Sequence, residues 1–410
     1  MGVLDIDLGI DLVNEEPITL SFANRRLSTL IKGPSGCGKK VKFLIPMIKQ
    51  DLMALNHTYK YFESGGEHLN GLTIFENNIR LGKIALELAN VYGLPKGAIA
   101  VIDPSNPDTA SIDLMQGEAD EVAEAMMELV SQLSNSATEE KYFVEQIQRN
   151  HLKQHVFLLK MHAPEKEVTL DMLLDMYKEP HTVHEMHMQL KGRFPNDFET
   201  IDRIENREEY NYWQLLKFLD RWFDSVIVPS SNRTTTRYMD EQAFYTNGLR
   251  ETLNYIASNE MIRKILFNDV GFSFDKHLGQ TGGVLLINTA KNTFGELSDV
   301  IGKVLLLKVS KASTTRRHDS ENFHHLLIDD FLDFWTNSFI SAHYLARKKG
   351  LIITCSTDRE VVALEKFDRG YATRFQNKIE FDIKEYGIET PWKCHVQQIE
   401  KGTSKVFYLK

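Results

Sequence analysis

A mainly parallel α/β sheet flanked by helices and interrupted by an inserted all-α domain is the fold class that this sequence predicts. Three observations predict it. Over residues 27–49 an apolar run breaks at a glycine-rich turn and resumes as an apolar helical segment. Short, almost wholly apolar runs recur between helical stretches, as expected of strands covered on both faces. From about residue 118 to 247 the periodicity is helical, with few strand-like runs.

Taken in order, residues 1–32 alternate apolar and polar around 4–8 and 18–22, which predicts two strands leading into a third at 27–31. Residues 59–62 read as a further strand ending in the polar run 63–67. Helical spacing follows at 81–91, and a strand at 98–102 ends in Asp103-Pro104-Ser105. The all-α stretch carries helical runs at 122–133, 142–161 and 213–223, with polar boundaries at 135–139 and 230–234. Residues 248–267, GLRETLNYIASNEMIRKILF, form an amphipathic helix or helix pair that leads the chain back to the sheet. Apolar strands then fall at 283–288, 325–328 and 351–354, each ending in polar residues. The domain division expected is 1–117 and 248–410 for the two parts of the sheet domain, with 118–247 as the helical insertion.

The 410 residues suffice for two or three domains and a large core. With 42% hydrophobic and 26% charged residues the composition is that of a folded chain. A net charge of −9 excludes a generally basic nucleic-acid coat and leaves room for a local basic channel. Cys37, Cys355 and Cys394 are the three cysteines; they are far apart and offer no disulfide framework, so a reducing cytoplasm is the expected compartment. No apolar run approaches the length of a membrane span, and the acidic start MGVLDIDLGID lacks the regions of a signal peptide.

The turn reads Gly33-Pro34-Ser35-Gly36-Cys37-Gly38-Lys39. Its spacing is that of a P-loop, in which backbone N–H groups and a helix N-terminus face a phosphate chain and the lysine reaches the outer phosphates. Lys40 departs from the pattern, because a Ser or Thr hydroxyl normally binds Mg²⁺ there. Downstream, His-His-Leu-Leu-Ile leads into Asp329-Asp330, an apolar strand ending in carboxylates. In phosphoryl-transfer sites such acids hold the Mg²⁺ shell and polarise the attacking water, so Asp329 and Asp330 are the candidates. Asp330 is one methylene shorter than the more usual Glu. Ligands of open α/β sheets bind at the carboxyl edge of the strands, which gathers Lys39, Asn288-Thr289, Asp329-Asp330 and Cys355-Ser356.

The ordered set GPSGCGKKVKFLIP (33–46), VIDPSNPDTASIDLMQG (101–117), residues 248–266, GGVLLINTA (282–290), IGKVLLL (301–307), FHHLLIDDF (323–331) and ARKKGLIITCS (346–356) resembles the coupling ATPases of type IV secretion. These are the TraG/TraD-type conjugative DNA-transfer ATPases, grouped with FtsK/HerA-type translocases. The resemblance implies a RecA-like P-loop domain with an inserted all-α domain, ATP and Mg²⁺ as cofactors, and a hexameric ring when active, with a monomer in isolation compatible with it. It implies DNA, more often single-stranded, a relaxase or secreted protein, and other secretion components as partners. It also places the protein in the cytoplasm at the inner face of the membrane, held by a partner or by an N-terminal anchor. Carried onto this chain, the backbone from Gly33 to Gly38 and Lys39 would hold phosphates, and Asp329 and Asp330 would serve Mg²⁺ and water. Arg347 would act across a subunit interface on the transferring phosphate.

Three positions depart from that family: Lys40, Asp330 and Cys355, which stands near where the family places a γ-phosphate-sensing Gln and leaves Ser356 or Thr357 as the substitute sensor. They keep open a slow or non-hydrolysing recruitment module; a cytoplasmic pump for double-stranded DNA, unrelated to secretion, is the other alternative. Elsewhere, His181, His184 and His187 recur every third residue without the partners of a metal site. Cys37 lies where a helix N-terminus and Lys39 would lower a thiol pKa. Arg233 and Arg237 are placed to touch phosphates or to remain solvated, and Arg316-Arg317-His318 to face a ring lumen.

Overall fold

The computed structural model describes residues 5–11, 15–63, 70–133, 139–162, 168–195, 205–230, 237–268, 272–278, 282–316, 323–358, 375–381, 394–400 and 403–409. It divides into a sheet unit, Met1–Ala110 with Phe272–Lys410, and a helical unit, Ser111–Gly271.

The sheet unit opens with an antiparallel hairpin, β1 (Ile6–Ile10) and β2 (Pro17–Leu20). Then come β3 (Thr29–Lys32), β4 (Gly71–Glu76) and β5 (Ile99–Ile102). The helical unit holds the short hairpin β6 (Ile227–Pro229) and β7 (Tyr238–Asp240). The chain re-enters the sheet through β8 (Gly283–Asn288), β9 (His324–Ile328), β10 (Leu351–Thr357) and β11 (Asn377–Phe381), and closes with β12 (Cys394–Glu400) and β13 (Thr403–Leu409). The sheet order is β13-β12-β11-β3-β10-β9-β4-β8-β5. Pairing is parallel from β11 through β5, and β12 and β13 add an antiparallel edge.

Helices cover both faces, which is why β4, β8, β9 and β10 are buried at every residue. Leu72 and Ile74 of β4 face a core with Leu44 just before the helix Ile45–Glu63, Ile48 and Leu52 within it, and Leu81 and Ala85 of Arg80–Val91. Alternation sends Phe75 to the opposite face, where its ring meets Phe334 at 4.9 Å. Phe334 lies against Gly302 of the helix Glu296–Thr315, and a Cβ there would meet the ring at 2.4 Å.

Two sequence expectations are corrected. Residues 59–62 are the last turn of the helix Ile45–Glu63, not a strand; the strand is β4, whose Leu-Thr-Ile-Phe run went unread. The helical unit is also wider than 118–247. Its backbone starts at Ser111, where Ile112 N–H donates to Ile265 O at 2.8 Å and Leu114 N–H to Leu266 O at 2.8 Å. These bonds tie the entry of the unit to the helix pair Ala243–Ser258 and Glu260–Leu266, which therefore belongs to it. The polar boundary at 231–234 and most of that at 135–139 lie outside the described residues. No helix among the described residues is long and apolar enough to cross a membrane.

Candidate nucleotide site

Register brings the site together. Cys355 pairs with Ile328 and Ser356 with Ile31, so Ser356 sits one residue past the β9 pairing, level with Asp329. On the other side Phe75 pairs with Ile328, and Asp329 N–H donates to Phe75 O at 2.8 Å, which puts Glu76 beside Asp329. Glu76 in turn pairs with Asn288. The carboxyl edge therefore carries the row Ser356, Asp329, Glu76, Asn288 next to the loop that leaves β3.

That loop has P-loop geometry. Gly36 and Gly38 take φ of +83° and +91°, which residues with a Cβ rarely adopt. Cys37 N–H donates to Pro34 O at 3.2 Å and Lys42 N–H to Gly38 O at 2.8 Å. The first turn of the following helix is wound wide as a π-turn, Lys40–Leu44. Lys39 is buried and its ammonium donates to Gly33 O and, at 3.1 Å, to Pro34 O. A cavity of about 420 Å³ lies over the loop, lined by Ser35 to Val41, Ile45, Asn78, Arg80, Leu81, Ile84, Asp330 and Asp358.

Asp329 is fully buried. Its Oδ1 accepts from the Ser356 hydroxyl at 2.5 Å, and its Oδ2 is ion-paired with the Lys40 ammonium. Asp330 turns into the left-handed region, φ +50°, which a short acid tolerates. Burial and the neighbouring Asp329 raise its pKa to about 6, against the pull of Lys40 and Lys39. Glu76 was not anticipated. It is buried, and accepts from Leu81 N–H at 3.0 Å and Gly82 N–H at 2.6 Å, capping the helix Arg80–Val91. Burial raises its pKa to about 7, with Lys40 opposing and Asp329 assisting. The available signal was an apolar β-branched run ending in an acid, the pattern that revealed Asp329.

The other candidates divide. Ser356 reaches Asp329, whereas Cys355 points into the core and burial pushes its thiol well up. The Cys37 thiol is also raised rather than lowered, because burial outweighs the attraction of Lys39. Arg347 sits just before β10, at the opposite edge of the sheet from the P-loop, and its Nε donates to Arg26 O at 3.3 Å. Within this chain it does not join the site. Arg316 does not face a lumen: it is buried, with Nε on Leu278 O at 2.9 Å and a guanidinium nitrogen on Lys349 O at 2.6 Å. Arg317, His318 and Arg233 lie outside the described residues. In the helical unit His184 stacks on Tyr238 at 3.6 Å and His187 bonds Asp220 at 2.7 Å; Lys191 pairs with Asp220 and Asp224, filling the cationic place that a metal would take.

The Mg²⁺ expected at Asp329 needs an oxygen-rich, octahedral shell with ligands near 2.1 Å. Most of that shell comes from water and phosphate oxygens, so the protein is asked for one or two ligands, and the hydroxyl ligand is the one missing here. Position 40 offers an ammonium where the hydroxyl ligand would stand, and that ammonium holds Asp329 itself.

No family model matches the chain, and no curated protein matches it. Among solved structures, the bacterial conjugative coupling protein TrwB in an unbound form is 12% identical, with a TM-score of 0.53 over 98% of this chain and 80% of that one. TrwB in complex with the non-hydrolysable GTP analogue GDPNP is 12% identical, with a TM-score of 0.54 over 98% and 88%. VirB4 of Thermoanaerobacter pseudethanolicus is 11% identical, with a TM-score of 0.50 over 99% and 95%. The chain has the fold of these proteins, a P-loop, RecA-like α/β domain carrying a helical unit.

Proposed function

We propose that this chain is a nucleotide-binding coupling protein of the conjugative, type IV secretion kind, whose nucleotide state governs the recruitment and passage of DNA or a DNA–relaxase complex, with slow turnover. The carrying observation is the juxtaposition at one sheet edge of a P-loop with a buried Lys39 and the row Ser356, Asp329, Glu76. The TrwB complex with a GTP analogue supports a nucleotide on this fold. In this reading the loop backbone and Lys39 bind the phosphates. Ser356 and Lys40 fix the Asp329 carboxylate, and Asp330 faces the cavity. A homohexameric ring is the working assembly, with Arg347 offered to a neighbouring subunit. Single-stranded DNA, a relaxase or secreted protein, and other secretion components are its partners.

A second reading, a fully active translocating ATPase, is favoured by Asp330. A carboxyl with a pKa of about 6 at the cavity wall is matched to taking a proton from water near neutral pH. ATP hydrolysis with and without single-stranded DNA, with Lys39→Ala as control, separates the two. Slow, Lys39-dependent turnover supports the first, and strong stimulation by DNA supports the second. Stimulation by duplex DNA alone would favour a double-stranded DNA pump.

A further inference from the structure

We infer that Lys40 takes the place of the divalent cation, so that this P-loop binds a nucleoside diphosphate or triphosphate without Mg²⁺. The inference rests on the nucleotide reading above and concerns the same loop. Its basis is the geometry at Asp329. One carboxylate oxygen accepts from Ser356 at 2.5 Å, and the other is ion-paired with the Lys40 ammonium. Asp329 is fully buried and the Lys40 side chain is 28% exposed, so the pair is reached from the cavity side through Lys40.

Electrostatics argue in the same direction. A metal beside Asp329 would lie within a few ångströms of a fixed ammonium, and at that separation like charges repel by several kcal/mol at an effective dielectric near ~20. Displacing Lys40 would in turn leave the fully buried Asp329 carboxylate without its cationic partner, and stranding a buried charge is among the larger penalties known. The positive charge that a phosphate chain needs is meanwhile present without a metal, as Lys39 and Lys40 occupy successive positions at the start of one helix. The surrounding acids also oppose an anion less than their number implies. The carboxylate oxygens of Glu76 are occupied by the N–H groups of Leu81 and Gly82.

The test is equilibrium titration of the full chain with N-methylanthraniloyl-ADP, once in EDTA and once in excess Mg²⁺. The expected result is that wild-type Kd changes less than about threefold on adding Mg²⁺, whereas Lys40→Thr, which restores a hydroxyl ligand, tightens about tenfold or more. Tightening of the wild type by about tenfold with Mg²⁺ would overturn the inference and leave the nucleotide reading standing. A folded Lys40→Thr that gains nothing from Mg²⁺ would overturn the role given to Lys40. Binding in neither buffer would overturn the nucleotide reading itself. Should Lys40→Thr not fold, the wild-type comparison alone decides.

Discussion

Ser356 on β10 donates its hydroxyl hydrogen to Asp329 at 2.5 Å, and neither side chain reaches solvent. The contact follows from parallel register, which sets Ser356 one residue beyond the Cys355–Ile328 pair. A buried hydrogen bond to a charged group contributes about 1.5–3 kcal/mol, so Ser356→Ala is expected to lose roughly that amount in urea unfolding. Cys355→Ser, by contrast, buries a hydroxyl in an apolar position and leaves Asp329 untouched, so it should lower stability with no change in nucleotide affinity.

Gly33 is required by close approach. A Cβ there would stand 2.6 Å from Cys37 Sγ and 2.9 Å from Phe381, within the core beneath the loop. Gly33→Ala is expected to push the loop off β11, lowering stability by about 1–3 kcal/mol and weakening nucleotide binding. Melting curves and the fluorescent ADP titration read the two effects separately.

Beneath the site, Arg25 donates to both oxygens of Asp51 at 2.6 and 2.9 Å, and Asp51 also holds His325, whose other nitrogen meets Thr354 Oγ1 at 2.9 Å. Burial pushes the Asp51 carboxyl up, but Arg25 and His325 together hold it below its usual 3.8. Because the folded pKa is depressed, the contribution to stability is present above pH 3.8 and is lost as pH falls through the lower folded value. Asp51→Asn removes the negative charge that balances a buried guanidinium and is expected to cost about 3–5 kcal/mol at neutral pH. Acid titration of unfolding free energy should show the drop below pH 3.8 in the wild type and its reduction in the variant.

Glu76 has the opposite sign. Its pKa rises from 4.5 to about 7 on folding, so the folded state binds more protons than the unfolded state between those values. This carboxyl therefore makes stability fall as pH rises from 4.5 to about 7, by up to about 1.4 kcal/mol per pH unit. Glu76→Gln should flatten that slope in denaturant unfolding measured across the same range. An unchanged slope would mean that Glu76 is ionised throughout.

The fold was legible where periodicity is strong. The runs at 283–288, 325–328 and 351–354 read as buried strands because helices on both faces leave no polar alternation to blur them. Strand β4 was missed because it follows a long helix whose last apolar turn, 59–62, has the length and composition of a strand. Missing β4 also hid Glu76. Lys39, Asp329 and Ser356 were legible from their places at strand and loop ends. The Lys40–Asp329 pair was not, since position 40 showed only that a hydroxyl was absent. The choice between Cys355 and Ser356 needed the pleat, which points neighbouring side chains to opposite faces.

The most direct test of the central claim, that this sheet edge is a nucleotide site built on Lys39, is calorimetric titration of ADP and a non-hydrolysable ATP analogue into wild type and Lys39→Ala. Binding by the wild type, weakened about tenfold or more in a Lys39→Ala protein that melts as the wild type does, is the result expected. Equal affinity in the two proteins, or no binding heat in the wild type, would contradict it.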